Sequence, residues 1–110
     1  MTRIVFSKDQ SSNYKQFTCS GHADYGKFGK DIICAAISML VINTINSLEE
    51  LCHLKMDVTT DAEKGYIKCI LPDHLDEKSI VLLDALVLGL TSVESQYGKK
   101  FCKVEFEEEV

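Results

Sequence analysis

Basic charge is scarce in this 110-residue chain: lysine and arginine number 12 against 17 aspartates and glutamates, a formal net charge of −5. A domain of that balance lacks the basic stripe that displaces counterions from phosphates, so direct nucleic-acid binding is not expected. A Lys/Arg-rich peptide is a better electrostatic match, although the same charge also serves solubility alone. Paired cysteine motifs are missing as well. The five cysteines, Cys19, Cys34, Cys52, Cys69 and Cys102, are odd in number and no two stand in CxxC spacing. The N-terminus reads as a strand from its first residues and not as a secretory signal. Together these features point to reduced thiols and a cytoplasmic setting. The most lipid-like run, residues 80–90, contains Asp84 and is too short to span a bilayer, so it reads as a buried helix and no membrane partner is expected. Neither GxGxxG nor GxxxxGK[ST] occurs, and no linker or low-complexity tract divides the chain.

What is present is a 45% apolar composition, enough for a modest core, in a length that suits one domain over residues 1–110. Residues 2–7, rich in Ile, Val and Phe, read as a strand. Residues 9–13 have turn composition. Residues 14–20 alternate, with Phe17 and Cys19 on one face, and complete a hairpin. Residues 20–30 hold three glycines and read as a mobile loop. From Asp31 to about His53 there is no Pro or Gly, and apolar residues fall on almost every face. Such a helix is expected to be buried on more than one side, against a sheet and against a second subunit. Residues 56–60 and 65–71 read as a second hairpin. A second apolar helix spans 78–97 and ends near Gly98, residues 101–106 read as a last strand, and the acidic tail 107–110 reads as frayed. The order ββαββαβ predicts an α+β domain with a mostly antiparallel sheet and two long helices.

The chemistry concentrates in Gly21-His22-Ala23-Asp24-Tyr25-Gly26 and Asp31-Ile32-Ile33-Cys34-Ala35-Ala36-Ile37-Ser38. Asp31 reads as an N-cap, which sets Cys34 about three residues into a helix. A thiol there faces the positive end of the helix dipole, which favours the thiolate. The unpaired N–H groups of the first turn can hold an oxyanion, and His22 can protonate a leaving amine. Ser38, one turn after Cys34, shares its face; its hydroxyl either serves the site or bonds back to the Cys34 carbonyl. Asp31 either orients His22 or only caps the helix. Spacing alone also allows Cys34 to be a small buried hydrophobe and His22 a solvated loop residue. Cys19-x-x-His22 has zinc-ligand spacing, with Cys34 as a third donor, but Cys19 should point into the core and no fourth ligand lies near. Cys52, Cys69 and Cys102 read as core.

This stretch resembles the ribosomal-processing cysteine proteases of bacteria, the Prp family, whose pattern is a GHA segment, a short Gly-containing loop and D-I-V-C-A-A-x-S. The single change is Ile33 for Val. The resemblance extends over nearly the whole chain, through the N-terminal hairpin and the second helix with its end Val93-Glu94-Ser95-Gln96-Tyr97. It implies that His22 and Cys34 are a catalytic pair, with Gly21, Ala23, Tyr25, Gly26, Asp31 and Ser38 as substrate-binding or supporting residues and no cofactor or metal. It further implies a homodimer that removes the N-terminal extension of the large-subunit ribosomal protein numbered twenty-seven. The alternative outside enzymology is a ribosome-assembly module that grips a basic peptide.

Overall fold

The computed structural model describes residues 1–21 and 30–109, with Lys30 and Asp31 described by their backbone only. Seven elements follow in the expected order: β1 (Thr2–Lys8), β2 (Tyr14–Ser20), α1 (Lys30–Glu50), β3 (Asp57–Asp61), β4 (Tyr66–Ile70), α2 (Glu77–Tyr97) and β5 (Cys102–Glu108). They form one five-stranded sheet in the order β3-β4-β2-β1-β5. Every pairing is antiparallel except β1 with β5, which is parallel. A parallel neighbour needs a long crossover, and α2 supplies it.

The first hairpin closes because Asp9 organises its turn. The Asp9 carboxylate accepts from the backbone N–H groups of Ser11 and Asn13, each at 2.9 Å. These bonds, that of Asn13 first, hold the Asp9 carboxyl below the usual carboxylate range. Strand alternation then sends Ile4, Phe6, Phe17 and Cys19 to one face, where they are buried. Phe6 is the hub, with its ring centroid 5.6 Å from those of both Phe17 and Phe106. The opposite face carries charge, including Arg3, whose guanidinium donates to Glu105 at 2.6 Å.

Both helices lie on the apolar face. On α1 the buried stripe is Ile33, Ile37, Val41, Ile45 and Leu48, and on α2 it is Leu83, Leu86 and Leu90. The helices approach closely at Gly89, where an added Cβ would stand 3.1 Å from the Cδ2 of Leu40. Asp76 caps α2 by accepting from the N–H of Ser79, and Gly98 (φ 101°) ends it. Glu94 then ties α2 to β5 by accepting the N–H of Val104 at 2.7 Å.

Three expectations need correction. Helix α1 stops at Glu50 and not near His53, because His53 adopts φ 54° and the Leu54 N–H turns back to the Leu48 carbonyl. The shorter helix leaves Cys52 in a turn, half-buried and outside the core. The acidic tail is strand through Glu108, since β1 offers its whole free edge and the Glu109 N–H reaches the Lys8 carbonyl at 2.7 Å. Within one chain each helix buries one stripe, against the sheet and the other helix. Met39 is 67% exposed and Leu88 70%. Both helices are long and apolar enough to cross a membrane by length and composition, yet each lays its stripe on the sheet as core helices do.

Phe17→Ala is expected to lose about 3–5 kcal/mol of stability in urea unfolding, because its ring fills the centre of the core. Asp9→Asn tests the turn. The native carboxyl titrates lower when folded, so its contribution is present above the unfolded value of about 3.9 and fades as pH falls through the folded one. Asparagine does not titrate, and acid unfolding of that variant should be less steep than wild type below about pH 4.

Candidate active site

The helices leave the inner face of β3 and β4 partly bare, and Val58 on β3 is 40% exposed. Between that hairpin and α1 lies a mainly apolar groove of about 540 Å³. Cys34, Ile37 and Ser38 form its helical wall, and Val58, Tyr66 and Ile67 form the opposite one. Thr2, Cys19 and Gly21 line it from the central strands. Cys34 and Ser38 therefore share one face and one cavity, as the one-turn spacing predicts.

All five cysteines lie among the described residues and carry thiols. Burial pushes Cys19 up to about 11, with Cys102 and Cys34 adding to the effect. It pushes Cys69 up to about 12 and Cys102 up to about 11, the latter also beside Glu94. These three are protonated at neutral pH and face apolar surroundings, so they are inert as nucleophiles. Their burial also opposes a metal-binding role for Cys19, since the thiolate is the ligand form. Cys34 differs in being half-buried and in lining the groove.

The helix starts two residues earlier than an N-cap at Asp31 implies, and this changes two roles. Since α1 begins at Lys30, Asp31 lies inside the first turn and is not the N-cap. Cys34 is then one full turn in, and among the described residues the N–H groups without intrahelical partners are those of residues 30–32, in the turn before it. Ser38 is exposed and makes no back-bond to the Cys34 carbonyl among the described residues, unlike Thr44, Thr91 and Ser92, which bond back within their helices.

Gly21 is built into the site's edge. Its φ is 93°, a region L side chains avoid, and an added Cβ would collide with the carbonyl oxygen of Met1. The segment that follows, with His22, Ala23, Tyr25 and Gly26, lies outside the described residues, as does the side chain of Asp31. Two parts of the groove had no signal in the sequence: the hairpin wall, whose role depends on α1 leaving it bare, and Thr2, an ordinary strand residue. Among the described residues no three His, Cys, Asp or Glu side chains cluster as metal ligands do.

Gly21→Ala should lower stability by about 1–3 kcal/mol in denaturant unfolding, through backbone strain and the clash with Met1.

Comparison with known proteins bears on this groove. The family model described as cysteine protease Prp matches residues 1–102. Ribosomal processing cysteine protease Prp of Staphylococcus aureus is 27% identical over 79 residues, 72% of this chain and 74% of that protein. Its namesake in Bacillus subtilis is 22% identical over 101 residues, 88% of this chain and 90% of that protein. Among solved structures, SMU.848 from Streptococcus mutans superposes with a TM-score of 0.88 at 29% identity, over 99% of this chain and 96% of that one. The S. aureus protease Prp with a covalently linked product peptide also superposes at 0.88, with 20% identity, over 97% of this chain and all of that one.

Proposed function

The chain belongs to the cysteine protease Prp family, and from that membership we propose that it removes the N-terminal extension of the bacterial large-subunit ribosomal protein numbered twenty-seven, with Cys34 as nucleophile. The observation that carries this reading is the position of Cys34. Of the two thiols that line the open, mainly apolar groove, Cys19 is buried and Cys34 is half-buried on the helical wall, one turn after the unpaired amides of a helix start. A related fold from S. aureus holds a peptide product covalently.

In the proposed reaction, the peptide lies in the groove between α1 and the β3–β4 hairpin. The Cys34 thiol gives its proton to His22, the thiolate attacks the scissile carbonyl carbon, and the N–H groups of residues 30–32 hold the oxyanion. His22 protonates the departing amine, and the peptide C–N bond breaks to leave a thioester on Cys34. His22 then takes a proton from water, whose oxygen displaces the thiolate and releases the acid. Asp31, in the first turn, and Ser38, one turn on, are the supporting residues on the helix. Gly21, Ala23, Tyr25 and Gly26 support from the preceding segment. No cofactor enters this scheme. The net charge of −5 suits the Lys-rich terminus of a ribosomal protein.

The protein works in the cytoplasm and as a homodimer in this reading. The exposed apolar residues of the two helices, Met39, Ile42, Val81 and Leu88, support the dimer, because it would cover them. Sedimentation of the protein alone should then give twice the chain mass.

Cys34→Ala should fold with an unchanged far-ultraviolet spectrum and lose cleavage of the extended ribosomal protein by about 10³-fold or more, read as product mass over time. His22→Ala should behave likewise. Wild-type rates in the Cys34 variant would overturn the assignment.

A further inference from the structure

Thr2 occupies an unusual place for a hydroxyl. It is 3% exposed, and its Oγ1 is buried with no hydrogen-bond partner among the described residues. Its backbone N–H donates to the Phe101 carbonyl at 2.9 Å, and the residue stands in register with Cys102. The residue lines the groove together with Cys34, Cys19 and Gly21. Its Cα lies 3.7 Å from the position a Cβ on Gly21 would take, so it sits directly under the residue that leads into His22.

A buried hydroxyl without a partner is a loss for the folded chain, and most native hydroxyls in such a place find one. Valine has nearly the same shape and suits a strand at least as well. Packing therefore gives no reason for threonine here. The groove does: a peptide entering it brings main-chain N–H and C=O groups that need partners once water is excluded, and a hydroxyl can donate to one or accept from the other.

We propose that the Thr2 hydroxyl is a substrate-binding group that hydrogen-bonds the main chain of the bound peptide beside the scissile bond. This rests on the protease reading of the same groove. A main-chain bond does not depend on the peptide's side chains, so Thr2 contributes to holding the extended strand in place and not to choosing its sequence. The unmet hydroxyl of the free protein is satisfied when the peptide is bound.

The test compares wild type, Thr2→Val and Thr2→Ser on a synthetic peptide spanning the N-terminal extension and the first residues of the ribosomal protein, with Cys34→Ala as the control. Steady-state kcat/KM and thermal midpoint are read for each. Thr2→Val should cut kcat/KM about tenfold, the loss of one neutral hydrogen bond, while its thermal midpoint stays level or rises. Thr2→Ser keeps the hydroxyl and should stay within about threefold of wild type. A merely structural role would lower the midpoint and the activity together. Wild-type kcat/KM in Thr2→Val overturns this proposal and leaves the protease reading standing, and so does a Thr2→Ser variant as impaired as Thr2→Val. A wild-type protein that leaves the peptide intact, or a Cys34→Ala variant that cleaves it, overturns both.

Discussion

Strand β1 is the constraint on which the rest of the molecule depends. It is hydrogen-bonded along both edges, antiparallel to β2 and parallel to β5. Each buried backbone N–H and C=O on it must be paired, and leaving one edge open would expose a row of donors and acceptors. That demand brings the far end of the chain back beside the first residues. It also places Ile4 and Phe6 at the centre of the core and Thr2 at the edge of the groove. The parallel sense of β5 in turn requires a crossover, so α2 must pass over the apolar face and pack beside α1 at Gly89.

The groove follows from what those helices do not cover. Two helices protect the central strands, while the β3–β4 hairpin extends the sheet beyond them. Its inner side chains, Val58 among them, stay partly exposed against the free edge of α1. A fold optimised only for stability would cover that apolar surface. Here the first turns of α1 run along it, so the one groove-lining thiol on a helix, the amides before it and the apolar walls meet in one place. The three buried thiols show the contrast, since burial keeps them protonated, Cys19 on the groove included.

The element order and the first hairpin were legible because their signals are local. Asp9, Ser11 and Asn13 announce a turn whatever the rest of the chain does, and Phe17 and Cys19 alternate in a strand of any sheet. The ends of elements were less legible. His53 has no sequence mark that separates a helix residue from a left-handed stop, and the Glu-rich tail looks frayed until β1 is seen to offer it a ladder. The apolar breadth of α1 was read as burial against the sheet and a second subunit, and within one chain Met39 and Ile32 face outward. Hydrophobic content does not state which neighbour covers it.

Sequence alone determined the kinds of element, their order, the one-turn spacing of Cys34 and Ser38 and the family to which the motif points. Each of these rests on residues close together in the chain, where geometry is set by backbone periodicity. Tertiary structure decided the parallel edge, the groove and the setting of Thr2. Those depend on residues as distant as Thr2 and Cys102 being paired, or Cys34 and Tyr66 lining one groove. Their meeting is a result of packing two helices on a sheet whose strand order no local pattern records.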